Sequence, residues 1–280
     1  IDKITGLKVN INKWIYSELI ETKTKIEKNL KDYRFDEASR IVYQFVWHSY
    51  CDWYLELSKT ILFSNNEDDK KEVKKVSSYV FKQILILLHP FIPFVTEEIW
   101  LKNKFDDSSQ HFLMFANWAS GKIIKDSSTN QVENIINIIS EIRSFKNELN
   151  VSPGSFIDIS IKNITDDKKN FIKNNEIILK KLGRINNILN EDLDKSTATM
   201  VVSGDLFKIY FDEDVDLDLI KKNLISKQSR LRDEMIKISQ RLENKSFVDR
   251  APKEIVDQEK SNYNSLKNDI EKISLTIKGI

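Results

Sequence analysis

Val73-Lys74-Lys75-Val76-Ser77-Ser78-Tyr79-Val80-Phe81-Lys82-Gln83-Ile84-Leu85-Ile86-Leu87-Leu88-His89-Pro90-Phe91-Ile92-Pro93 is the stretch that decides the fold. Its apolar residues recur at helical spacing, and from Ile84 to Leu88 the segment becomes apolar on every side. A helix that is apolar all round belongs in the middle of a bundle. Pro90 and Pro93 stop it, and Pro93 can open the next helix because a first-turn residue needs no N–H. Glu97 and Glu98 then lie near that positive helix end before Ile99 and Trp100 pack inward.

Upstream, Trp14, Ile15, Leu19, Ile26 and Leu30 mark an amphipathic helix between Asn12 and Leu30. A second helix is predicted from about Phe35 to Leu62, with Asp36 as a possible cap and Ala38, Val42, Phe45, Val46, Trp53 and Leu57 facing inward. The acidic, polar stretch Ser64–Lys71 reads as an exposed connection. Four helices with short connections make an antiparallel bundle over residues 1–125, and all five Trp fall within it.

The pattern changes twice after that. Gln131–Leu149 reads as a helix that ends at Ser152-Pro153-Gly154, and Ile157, Ile159 and Ile161 then alternate with polar residues as in a half-buried strand. A helix over Lys168–Leu182 and strands over Ala198–Val202 and Leu206–Phe211, turning at Ser203-Gly204-Asp205, complete a small α/β module over 126–215. In the last segment, 216–280, Leu217, Leu224, Leu231 and Ile238 repeat every seven residues, with Lys221, Gln228, Met235 and Leu242 in the complementary position. Val256, Tyr263, Ile270 and Ile277 repeat likewise after the break at Asn244–Pro252, joined by Leu266 and Ile273. The economical reading is an antiparallel coiled-coil hairpin. The fold class is therefore mainly α, with one small mixed module.

Composition narrows the chemistry. Six Gly and four Pro in 280 residues argue against sandwiches, barrels and a glycine-rich phosphate loop. The single Cys51 excludes an intramolecular disulfide and any multi-thiolate metal site. No run approaches the roughly 18 apolar residues of a membrane span, so no membrane partner is expected. His48 and Cys51 are three apart on one helical face beside Asp52, but that face is aromatic and nothing supplies an oxyanion hole, so the pair reads as packing. Adjacent Glu97 and Glu98 point in different directions and cannot flank one substrate bond.

The net charge of +1 conceals a cancellation, because residues 216–280 carry 14 basic and 11 acidic side chains. Lys227, Arg230, Lys237 and Arg241 lie along one side of the first heptad arm, interrupted by Glu234, while Lys253, Lys260 and Lys267 share one position of the second. Two aligned basic rows on a rod can track phosphates. They are equally the charged flanks that any coiled coil carries, so a coiled-coil protein–protein interaction module is the competing reading.

A family resemblance separates these readings. Phe35-Asp36-Glu37-Ala38, running into Tyr43-Gln44-Phe45-Val46-Trp47-His48 and Cys51-Asp52-Trp53-Tyr54-Leu55-Glu56-Leu57-Ser58-Lys59, strongly resembles the anticodon-binding helical domain of valyl-tRNA synthetases. Leu88-His89-Pro90-Phe91-Ile92-Pro93-Phe94-Val95-Thr96-Glu97-Glu98-Ile99-Trp100 is similar to a segment shared by the valine, isoleucine and leucine enzymes. Phe247-Val248 with Ala251-Pro252 and Val256 looks like the tip of the valine enzyme's C-terminal coiled coil. The resemblance implies a bundle that holds the anticodon loop and a coil that braces the outer corner of tRNA(Val). It adds Lys245 and Arg250, which flank the tip, to Lys227, Arg230, Lys237 and Arg241 as tRNA-binding candidates. Trp47, Trp53 and Tyr54 are expected in the core rather than as base-stacking platforms.

The resemblance further implies a cytoplasmic, monomeric parent enzyme that activates valine with ATP and Mg. The family's His-x-Gly-His and Lys-Met-Ser-Lys-Ser type signatures do not occur in this sequence, nor does the Asn-Ala-x-Arg-Phe type helix. The chain is therefore expected to be a cut fragment with no catalytic residue, cofactor or metal of its own, inactive in isolation.

Overall fold

The computed structural model describes residues 4, 6–105, 112–124, 126–149, 151–161, 164–189, 191, 193, 197–202, 205–210, 217–244 and 252–279. It divides into two compact units, residues 1–136 and 137–280.

The first unit is the helical bundle. Helix α1 (Asn10–Lys31) buries Trp14, Ile15, Leu19 and Ile26, as its spacing predicts. Its own N-cap, Val9, has no side chain that can accept a hydrogen bond. Glu72, 63 residues beyond Val9, supplies the acceptor instead, taking the Lys8 and Val9 amides at 3.0–3.2 Å. This satisfies donors that a helix start otherwise leaves orphaned.

Residues 35–62 form one continuous rod, but not a uniform one. It runs as α2 (Phe35–Gln44), a ten-residue π-helical segment (Phe45–Tyr54) and α3 (Leu55–Leu62). A π turn holds more residues than an α turn, so the inward face drifts around the rod. Ala38, Val42, Phe45, Tyr50, Tyr54 and Leu57 are buried, while Trp53 is half-buried and Trp47 stands 54% exposed. The expectation of Trp47 in the core is thus corrected: two residues beyond Phe45, it falls on the face of the rod opposite Ala38, Val42 and Phe45.

Helix α4 (Glu67–Leu88) begins six residues before Val73, so the acidic stretch is mostly its first turn and not a connection. The Asn66 side chain caps it by accepting from the Asp68 and Asp69 amides, and Glu67, Asp68 and Asp69 suit the positive helix end. Val73, Val76, Tyr79, Val80 and Ile84 through Leu87 are buried, as the reading of the decisive stretch requires. Between α1, the rod and α4 lies a closed polar chain: the Tyr54 hydroxyl donates to Asn12 Oδ1 at 2.8 Å, and Asn12 Nδ2 donates to Glu72 Oε1 at 2.9 Å.

Helix α5 (Pro93–Asn103) opens with Pro93 in its first turn. Buried Thr96 bonds back to the Ile92 and Pro93 carbonyls at 3.0 Å, and its Oγ1 lies 2.8 Å from His89 Nδ1. The His-Pro-x-x-Pro-x-x-Thr spacing therefore staples the sharp turn between α4 and α5. Leu85, Ile86, Trp100 and Leu113 form a separate apolar cluster below it. Glu97 accepts from the Leu113 amide at 3.1 Å and so fastens the returning chain, a role beyond helix-end electrostatics.

Helix α6 (Ser127–Glu148), started by the Asp126 carboxylate on the Ser128 and Thr129 amides, begins in the first unit and ends in the second. The second unit contains a four-stranded sheet in the order β2-β1-β4-β3: β1 (Ile157–Ile161), β2 (Ile185–Leu189), β3 (Thr197–Val202) and β4 (Asp205–Tyr210). Strand β1 pairs parallel with β2 and antiparallel with β4. The predicted single helix over 168–182 is two, α7 (Asp166–Asn174) and α8 (Glu176–Gly183), which make the crossover between the parallel strands. Strand β2 was not predicted from the sequence. Ser203 and Gly204 of the expected turn lie outside the described residues.

Two long helices follow, α9 (Leu217–Glu243) and α10 (Lys253–Gly279), each 27 residues and each about 40 Å long. Gln228 Nε2 reaches Ser274 at 2.6 Å and Arg241 reaches Glu259 at 3.2 Å, a register that makes them antiparallel. Leu224 and Ile238 of α9 and Val256, Ile270 and Ile273 of α10 are buried, the heptad positions read from the sequence. Helix α10 also lies against β3.

Candidate nucleic-acid interface

Heptad geometry puts the basic side chains of α9 on its flank, outside the apolar seam. There the structure divides the predicted set. Arg230, Lys237 and Arg241 line one open hollow of about 610 Å³ together with Asp233, Glu234 and Glu259. Three cations therefore face three carboxylates, and Arg241 is already held by Glu259. The hollow is a mixed-charge groove, less positive than the basic row alone suggests. Within that pair the Arg241 side chain stays 63% exposed while Glu259 is only 17% exposed, so the guanidinium keeps an open side toward solvent.

Lys227 stands apart. It pairs with Glu148 of α6 at 3.2 Å and lines a different hollow, of about 430 Å³, with Phe145, Met200 and Ile273. Lys245 and Arg250 lie outside the described residues, as does most of the tip between the arms. On α10, Lys253, Lys260 and Lys267 are all exposed.

Two side-chain groups of the bundle singled out from the sequence have structural surroundings. His48 Nδ1 sits 3.3 Å from Asp52, and the Cys51 thiol is pushed up by burial and by the Asp52 charge beside it, so it stays protonated. Glu98 pairs with Lys102 at 2.9 Å while Glu97 serves the loop, so the two carboxylates share no task. Among the described residues there is no group of three or more His, Cys, Asp or Glu side chains placed to hold a metal ion. No described helix is long and apolar enough to cross a membrane.

One exposed feature of the bundle escaped the sequence reading. Tyr43 and Trp47 stack in parallel on the solvent side of the rod, with ring centroids 6.3 Å apart and planes within 3°. Their i,i+4 spacing opposite Ala38, Val42 and Phe45 was the available signal.

The described residues thus form a helical bundle and a small sheet unit that carries a long helix pair with basic side chains on its flanks. Comparison with known proteins makes the class specific. Residues 12–161 match the family described as the anticodon-binding domain of tRNA ligase, and because that is more than half of the chain, the protein belongs to this family. Residues 216–280 match the valyl tRNA synthetase tRNA binding arm. The chain is 72% identical over all 280 residues to a valine–tRNA ligase of Pelagibacter ubique (strain HTCC1062), covering 32% of that protein. It is 30% identical over 273 residues to the valine–tRNA ligase of Bartonella quintana (strain Toulouse), 97% of this chain and 30% of that protein. For the valine–tRNA ligase of Aquifex aeolicus (strain VF5) the figures are 28% over 281 residues, 95% of this chain and 24% of that protein. The chain thus spans about a third or less of the length of these relatives.

Proposed function

We propose that this chain is the tRNA-docking part of a valine–tRNA ligase, which joins valine to tRNA(Val) at the expense of ATP. The observation that carries the proposal is the pair of family matches, anticodon-binding over 12–161 and tRNA binding arm over 216–280, within a chain 72% identical throughout to one such ligase. In this reading the bundle engages the anticodon arm, while Arg230, Lys237 and Arg241 contact phosphates elsewhere on the same tRNA. Lys227, Lys245 and Arg250 add to that contact in the same proposal. Adenylate formation, with its ATP and Mg, falls to other parts of a monomeric cytoplasmic parent, and the 280-residue chain binds no cofactor. The family matches favour this over a protein–protein coiled-coil module.

The test is binding of a labelled tRNA(Val) transcript to the purified chain at low salt, with a tRNA of another specificity in parallel. Binding that favours tRNA(Val) supports the reading. Absence of binding to either RNA overturns it. Valine-dependent ATP–pyrophosphate exchange by the chain alone would overturn the assignment of catalysis elsewhere.

A further inference from the structure

The second unit gathers basic side chains at a place that the heptad rows do not include. Arg143 and Lys146 are three apart on α6 and so share a face. The Arg143 guanidinium closes on one acceptor, donating from Nε at 3.2 Å and Nη2 at 2.9 Å to the Leu182 carbonyl near the end of α8. Lys146 is 2% exposed, and its ammonium donates to the Ser155 carbonyl. Phe156 follows, and the guanidinium of Arg184, two residues beyond Leu182, lies 5.5 Å from the centre of its ring. The Arg184 carbonyl accepts from the Ile157 amide at 3.1 Å, which ties the end of α8 to the start of β1. Three cations from two elements thus converge on one loop.

The charges there are not balanced. Among the described residues no carboxylate pairs with Lys146 or Arg184. Acids on the surrounding elements are engaged elsewhere: Glu148 with Lys227 at 3.2 Å, Glu176 with Lys180 at 2.7 Å and Asp158 with the Asn187 side chain at 2.9 Å. Glu141 lines the hollow beside Met200. What the cations face is carbonyl dipoles. The C-terminal ends of α6 and α8 supply about −0.5 of a charge each, so Lys146 and Arg184 keep an excess of about +1 before Arg143 is counted. Burial, then the nearby charges of Arg184 and Arg143, push the Lys146 ammonium below its ordinary pKa, as expected of a cation that has no anion beside it. A phosphate group carries about −1 as a diester and about −1.5 to −2 as a monoester, and its oxygens accept in the geometry that guanidinium forks offer.

The backbone at Arg184 adds an independent observation. Its φ is +54°, in the left-handed region where helices commonly end on Gly. Arginine is disfavoured in that conformation, so the position is held for its side chain rather than for its turn. The Phe156 ring beneath fixes where that guanidinium lies.

We propose that Arg143, Lys146 and Arg184 form a binding site for a phosphate group, with the buried Lys146 ammonium at its base and the two exposed guanidinium side chains at its rim. The site lies apart from the α9 row and does not depend on the tRNA reading. Its phosphate comes from a small soluble phosphate or from an RNA backbone; the chemistry is shared, and the test separates the two sources.

The test uses the 280-residue chain and inorganic phosphate, with chloride and acetate at matched ionic strength as controls. Phosphate should shift the NMR amide resonances of Ser155, Phe156 and Arg184 saturably, and the controls should not. Lys146→Met and Arg184→Asn should each weaken phosphate binding by roughly 10- to 150-fold, the range for loss of one hydrogen bond to a charged group. Arg184→Lys should retain more of the affinity than Arg184→Asn. Asparagine tolerates the left-handed backbone, so Arg184→Asn should melt no lower than wild type in chloride. A lowered midpoint with phosphate affinity unchanged would make Arg184 purely structural and overturn the site. Circular dichroism checks the fold, and should Lys146→Met lose helicity, the two Arg184 variants decide alone. Adding tRNA(Val) to the phosphate-loaded chain then identifies the source: displacement at these resonances supports an RNA phosphate, and persistence supports a small soluble one. No saturable shift, or an equal response to acetate, would overturn the site. Binding of tRNA through α9 is read separately from affinity, so failure here leaves that reading standing.

Discussion

Replacing Tyr54 by Phe removes one atom from the middle of the bundle. That atom, the hydroxyl oxygen, is buried by the packing that encloses the whole side chain, and burial pushes the hydroxyl far above its ordinary value, so it remains a donor at all accessible pH. It donates to Asn12 Oδ1 at 2.8 Å, and Asn12 is itself fully buried with its amide nitrogen committed to Glu72. The phenyl ring fills nearly the same space, so cavity formation contributes little and the cost is that of one orphaned buried acceptor, about 1–3 kcal/mol. For a cooperative unit of this size each kcal/mol lowers Tm by about 4 °C, giving a fall of roughly 4–12 °C. Thermal and urea unfolding followed by circular dichroism and Trp fluorescence measure it. An Asn12→Ala, Tyr54→Phe double-mutant cycle should show coupling of about 0.5–3 kcal/mol, because the two groups share one bond. An unchanged midpoint in Tyr54→Phe, or additivity in the cycle, would refute the claim that this chain of hydrogen bonds helps hold α1, the rod and α4 together.

Three shorter expectations accompany it. Cys51 should alkylate more slowly than a free thiol at mildly alkaline pH, since burial and Asp52 raise its pKa; a rate equal to that of free cysteine would contradict its protected setting. His89→Ala, which removes one partner of Thr96 Oγ1 and leaves the Ile92 and Pro93 carbonyls, should destabilise the bundle by about 1 kcal/mol in urea unfolding. Lys146 is buried near Arg184 and Arg143, and burial followed by these charges lowers its pKa below 10.5. The unfolded chain then holds the proton more tightly, so stability attributable to Lys146 rises with pH between the lowered folded value and 10.5. Urea titrations should show wild type gaining on Lys146→Met across that window, and a pH-independent difference would contradict the shift.

What was legible in the sequence followed from period and punctuation. Ile84–Leu88 between a helical pattern and two prolines placed a central helix, and the sevenfold repeat of Leu224 and Ile238 against Val256 and Ile270 gave both long helices. What was lost had specific causes. Trp47 was expected inside because of its apolar neighbours, whereas its place opposite Val42 and Phe45 turns it outward beside Tyr43. Strand β2, Ile185-Asn186-Asn187-Ile188-Leu189, has two asparagines where a strand usually carries β-branched residues. It forms at the sheet edge because Asp158 of β1 accepts from both the amide and the side chain of Asn187. Of the basic row on α9, Arg230, Lys237 and Arg241 share one hollow and Lys227 lines another, and the carboxylates that face the three come partly from α10, which only the antiparallel register reveals.

The central claim, that this chain docks tRNA through phosphate contacts on its long helix pair, is tested most directly by the salt dependence of binding. Log affinity for tRNA(Val), measured between about 50 and 200 mM salt, should fall linearly with log salt concentration, by roughly 0.7–0.9 per neutralised phosphate. In the triple variant Arg230→Gln, Lys237→Gln, Arg241→Gln the slope should become shallower by about 2–3, with helicity unchanged. A slope near zero in the wild type, or an identical slope in the triple variant, would contradict the account.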